Sequence, residues 1–140
     1  MTNTIPRDEN GRPIITLTPL EKTVIHVPKQ GEYRKLMNIY KACGIMFSPS
    51  DTVRESPLKY DLWSHLRERT GITADLPNDR TFWNEEKYQE FRRFGYGDIN
   101  NLVGMGWRKI VLGEYFSEQG VTEEMSEEIN QWVNVDRWRK

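Results

Sequence analysis

The chain has 140 residues and a mass of 16.6 kDa, which fits one domain of ordinary size rather than two. Hydrophobic residues make up 36% and charged residues 29%, so the core is modest, and five Trp, six Tyr and five Phe supply much of the area it can bury. A formal charge of -1 argues against a surface wholly committed to phosphate backbone, and a single Cys, Cys43, rules out an internal disulfide framework and a four-Cys zinc site.

Residues 1–12 are polar and hold Pro6, Gly11 and both charge signs, without the apolar run of a signal peptide, so they read as a flexible N-terminal arm. Residues 13–140 then form a single domain. No apolar stretch approaches the roughly 20 residues that span a bilayer, so a cytoplasmic protein without a membrane partner is expected.

Ile14 to Leu17 and Thr23 to Val27 are short β-branched runs; in the second, Val24 and His26 fall on the face opposite Ile25 and Val27. From Gln30 to Cys43, the spacing of Tyr33, Leu36, Met37, Tyr40 and Cys43 predicts an amphipathic helix closed by Gly44. Ile45 to Phe47 suits a buried strand. After the serine-rich connection 48–56, Leu58, Leu62 and Leu66 repeat every four residues, predicting a helix over 57–70 closed by Gly71 and Ile72.

Residues 73–79 read as loop, and Asn84 caps a predicted third helix that Gly95 and Gly97 stop. Asp98 caps a short helix carrying Ile99, Leu102 and Val103, and residues 107–112 form a strand. Thr122 caps the last helix, with Met125, Ile129, Trp132 and Val133 as its buried stripe. The expected fold is a single α+β domain. A small sheet from strands near 14–17, 23–27, 45–47 and 107–112 carries several short helices on one face and the C-terminal amphipathic helix.

Catalytic patterns are scarce. Cys43 with His26 or His65 has the residue types of a thiolate–imidazole pair, but Cys43 lies on an apolar stripe, where a buried free Cys is the ordinary outcome. Glu123, Glu124, Glu127 and Glu128 place carboxylates at i, i+4 without any His in register, which suits a solvated helix face better than a metal site. Gly95, Gly97, Gly104 and Gly106 match neither phosphate-loop nor dinucleotide spacing, and HExxH, GxSxG and CxxC do not occur. The expectation is a protein that is not an enzyme, with no catalytic residue, metal or cofactor.

Recognition of a macromolecule has more in its favour. Trp, Tyr and Arg concentrate at interface centres. The candidate partner-binding residues are Arg92, Arg93, Tyr96, Trp107, Arg108, Lys109 and Tyr115. Arg92, Arg93, Arg108 and Lys109, interleaved with Phe91, Phe94, Tyr96 and Trp107, resemble a stacking and phosphate surface if they converge, which makes a nucleic-acid-binding regulator using the 91–109 region the alternative. The acidic run from Glu114 to Glu128 would repel a phosphate backbone nearby.

Two stretches carry a resemblance. The run 23–47, with Gly31-Glu-Tyr-Arg-Lys-Leu-Met and Cys43-Gly44-Ile45, and the run Gly104-Met-Gly-Trp-Arg-Lys-Ile-Val-Leu-Gly-Glu-Tyr-Phe resemble the opening and closing elements of small accessory, early host-takeover proteins of tailed bacteriophages. The resemblance covers about a third of the chain and leaves 51–97 unmatched. It implies a phage-encoded, non-enzymatic modulator that inhibits or redirects a host protein complex, with RNA polymerase and transcription regulation foremost, in the host cytoplasm.

Overall fold

The computed structural model describes residues 7, 9, 11, 15, 17, 22–43, 45–50, 53–74 and 93–138. Among these residues six strands, β1 (Thr23–His26), β2 (Met46–Ser50), β3 (Val53–Glu55), β4 (Thr70–Ala74), β5 (Arg93–Asp98) and β6 (Arg108–Val111), form one mixed sheet in the order β3-β2-β5-β4-β1-β6. The helices are α1 (Gln30–Cys43), α2 (Trp63–Leu66), α3 (Ile99–Gly104), α4 (Leu112–Gln119) and α5 (Glu123–Trp138), with a 3-10 turn at Arg67–Arg69. This is the expected α+β class.

Strand alternation separates the two sheet faces. One face carries the row Tyr96, Ile72, Ile25 and Ile110, registered across β5, β4, β1 and β6. These residues pack against Leu36, Met37 and Tyr40 of α1 and against Leu112, Tyr115 and Phe116 of α4 in one continuous core. Tyr33, Leu36, Met37 and Tyr40 of the expected α1 stripe are buried and Ile39 joins them, while Cys43 is half-buried. The last helix lies along α1 and buries Met125, Ile129 and Val133; Trp132 is half-buried. Its cap is the expected one, with Met125 N donating to Thr122 Oγ1 at 3.1 Å.

The opposite face carries the rows Gly97, Gly71, His26, Val111 and Gly95, Thr73, Val24, Lys109. Across it runs α3, which links β5 to β6 and touches β4 and β1 on its way. The two glycines make this possible. A Cβ on Gly97 would meet Leu102 Cδ1 at 3.3 Å, and one on Gly71 would meet Ile99 Cδ1 at 3.4 Å. Asp98 starts α3 as expected, its Oδ1 accepting from Asn100 N at 2.9 Å, while Oδ2 pairs with Arg69 at 3.0 Å. A helix on this face departs from the expectation that helices cover one face alone.

Further expectations are corrected, among them the loop over 73–79, whose Thr73 and Ala74 belong to β4. The helix over 57–70 is replaced by a turn, a single helical turn at Trp63–Leu66 and strand β4. Arg67, at φ 53, breaks the helical path, and the β-branched Thr70, Ile72 and Thr73 gain hydrogen-bonded neighbours on both sides in the sheet. Gly71 is therefore a strand residue rather than a helix stop. Gly95 and Gly97 do not stop a helix but lie inside β5, where Gly97 leaves room for Leu102 of α3 and a Cβ on Gly95 would meet Thr73 Oγ1 of β4 at 3.2 Å. The strand expected over 107–112 ends at Val111, and Leu112 opens α4.

Ile15 and Leu17 are described without strand pairing, the other residues of 14–17 lie outside the described set, and so does the helix expected from Asn84. At the N-terminus, Arg7 Nη1 lies 2.6 Å from Glu128 Oε1, tying this point of the expected arm to α5. The hydrogen bond and charge of Arg7 hold the Glu128 carboxyl below its ordinary range.

Candidate functional site: the outer edge of the sheet

Strand β6 ends the sheet, and among the described residues no strand pairs with its outer side. Arg108 N donates to Lys22 O at 2.9 Å, so Arg108 and Ile110 direct their amides toward β1. By alternation, Lys109 and Val111 direct theirs outward, which leaves hydrogen-bonding groups at an accessible edge.

Side chains around this edge are unusually apolar for a surface. Met105 is 68% exposed, Val111 46% and Val103 44%. The local sequence explains their placement. Trp107 N donates to Leu102 O, and Met105 N to Asn101 O, which folds the end of α3 tightly back onto the start of β6 and leaves Met105 at the bend. Val111 sits on the face crossed by α3 but beside His26, at the margin of the sheet.

Three cations border the edge. Lys22 and Lys109 are exposed, and the Lys22 side chain crosses Gly106, its Nζ 3.4 Å from where a Cβ there would be. Arg108 reaches Glu118 of α4 at 3.3 Å, in a solvent-exposed pair of small energetic consequence.

The candidate residues named from the sequence divide. Trp107, Arg108 and Lys109 lie together on or beside β6, with Trp107 half-buried. Tyr96 lies on β5, with β4 and β1 between, about 14 Å away at the usual strand spacing. It faces the core side, its ring centroid 6.1 Å from both Phe47 and His65. Tyr115 is removed from any docking surface: it is 2% exposed, and Tyr40 Oη donates to its hydroxyl at 3.3 Å. Its position on the inner face of α4 accounts for this. Arg93 contributes backbone to β5, and Arg92 lies outside the described residues. Among the described residues, Tyr96 thus stands apart from Trp107, Arg108 and Lys109. Met105 and Val111, and Lys22, were not foreseen; an apolar residue adjoining a Gly-rich bend was the available signal for Met105.

The side chains considered for catalysis also have separate engagements. Cys43 Sγ donates to Ile15 O at 3.3 Å, His26 Nε2 lies 2.7 Å from Glu68 O, and His65 stands against Tyr96. Among the described residues no group of three His, Cys, Asp or Glu side chains is placed to hold a metal ion. No helix among them is long and apolar enough to cross a membrane. Comparison with protein-family models, with curated proteins and with solved structures gives no match.

Proposed function

We propose that the chain is a non-enzymatic protein-binding module that docks an extended, acidic segment of a partner protein along the outer edge of β6. The observation that carries the reading is the outward backbone of Lys109 and Val111, set between exposed Met105 and Val111 side chains and the cations Lys22, Arg108 and Lys109. Strand addition obtains affinity from main-chain hydrogen bonds and selectivity from the flanking side chains. A lysine on so short an edge opposes pairing with a second copy and favours a strand bearing carboxylates. The similarity to host-takeover proteins of tailed phages supports a bacterial host assembly as the partner, with RNA polymerase the first to test.

The test is binding of the full chain to purified bacterial RNA polymerase, compared with Val111→Pro and with Arg108→Glu/Lys109→Glu. Val111 has φ -87, close to the proline range, and its amide faces away from β1, so the proline variant removes an outward donor while the sheet keeps its pairing. Wild-type binding that both variants weaken at least about tenfold, a loss of about 1.4 kcal/mol, supports the proposal. Binding that both folded variants retain moves the contact surface elsewhere, and absence of binding removes the polymerase as partner.

A further inference from the structure

A groove of about 480 Å³ lies between α1, the turn over 57–61 and α5. That volume is within the range of roughly 300–1,000 Å³ that takes small organic ligands. Gly31, Arg34, Lys35 and Asn38, spaced three and four apart, form the α1 wall, and Asn130 of α5 meets them from the other side. A Cβ on Gly31 would have nothing within 4 Å, so the wall stands open at that point.

The charges of the groove are unequally engaged. Lys59 is paired with Glu55, i,i+4. The side chains of Arg34 and Lys35 take part in none of the ion pairs or hydrogen bonds among the described residues. The one carboxylate in the lining, Asp61, accepts from the neutral Gln30 amide at 2.8 Å and is in no ion pair among the described residues. Two uncommitted cations thus face one carboxylate. The amides add directionality: Asn38 Nδ2 donates to Asn130 Oδ1 at 2.8 Å, which leaves Asn38 Oδ1 as an acceptor and Asn130 Nδ2 as a donor in the lining.

We infer that this groove binds a small organic anion through a phosphate or carboxylate group. Arg34 supplies a planar two-pronged donor and Lys35 a point charge for the anionic group, while the Asn38–Asn130 pair reads the donor and acceptor pattern of the uncharged remainder. Asp61 opposes ligands of higher charge. The site shares no residue with the β6 edge and stands independently of it.

The experiment is calorimetric titration of the full chain with adenosine monophosphate, inorganic phosphate and succinate. Binding of adenosine monophosphate and phosphate without succinate assigns the group as phosphate, and the reverse assigns carboxylate. In either case Arg34→Gln/Lys35→Gln weakens binding at least about tenfold, and Asp61→Asn strengthens it several-fold. Gly31→Trp, at a helical position with open space before it, blocks the organic ligand. Absence of binding at millimolar concentration for all three probes overturns the inference, as does binding that survives the Arg34/Lys35 substitutions in a protein with an unchanged melting temperature.

Discussion

A Cβ atom placed on Gly71 would fall 2.6 Å from Cγ2 of Val24, closer than real carbon atoms approach. Val24 is fully buried and its β-branched side chain has little rotamer freedom, so the strain cannot be released by a simple rotation. Gly71→Ala is expected to destabilise the fold by about 1–3 kcal/mol in urea denaturation. Gly97→Ala is expected to cost less, because it meets the flexible end of Leu102 at 3.3 Å. Equal effects would contradict the tight stacking of β4 on Val24.

The Tyr33 hydroxyl holds the segment after the 57–61 turn in place: it donates to Tyr60 O at 3.2 Å and accepts from Leu62 N at 3.1 Å. Tyr33→Phe leaves the buried Leu62 amide unpaired and is expected to cost about 1–3 kcal/mol. Burial pushes the Tyr33 pKa up to about 12 from 10.0, with the Leu62 hydrogen bond acting in the opposite direction. The folded protein therefore retains this proton where the unfolded chain has lost it. The contribution is complete below pH 10 and is lost as the pH rises toward 12. Stability of the wild type is expected to fall more steeply than that of Tyr33→Phe across this window, and parallel curves would remove the assignment.

Asp98 divides its carboxylate between the first turn of α3 and Arg69 in the 3-10 turn before β4. Asp98→Ala is expected to cost about 1–2 kcal/mol, mostly through loss of the cap. Asp98→Asn keeps a capping oxygen and should recover the larger part. Thermal melts of the two variants check the division; an alanine variant as stable as the asparagine one would show that the cap contributes little.

Thr70 is fully buried, and its Oγ1 has no hydrogen-bond partner among the described residues. Thr70→Val exchanges that hydroxyl for a methyl group of similar shape and keeps the strand preference of a β-branched residue. A gain of up to about 1 kcal/mol is expected in denaturant unfolding. A clear loss would mean that the hydroxyl has a partner in the folded protein.

The elements legible in the sequence were those whose apolar spacing answers to one face. The stripe of α1, the caps at Asp98 and Thr122, and strands β1 and β6 all belong to this group. Strands β4 and β5 were hidden for a common reason. Their signal is interrupted by Gly71, Gly95 and Gly97, which act as punctuation in a local reading; in the sheet, Gly71 and Gly97 are spacers beneath α3 and Gly95 lies against Thr73 of β4. The leucine repeat of 58–66 imitated a helix because two of its members, Leu58 and Leu66, are only half-buried beside a turn and a single helical turn. At the candidate site, Arg108 and Lys109 were readable as exposed charges. The outward direction of the β6 backbone was not, since it depends on β1 taking the inner side.

Because β1 lies between β4 and β6, its hydrogen-bonding neighbours are Thr70–Ala74 and Arg108–Val111, both far downstream. A nascent chain emerging from the ribosome cannot complete the middle of its sheet until Arg108–Val111 has been synthesised. Assembly is therefore governed by distant closures and is slow relative to helical proteins of similar length. Removal of the segment from β6 onward would strip one side of β1 and leave its hydrophobic row without the chain that seals it.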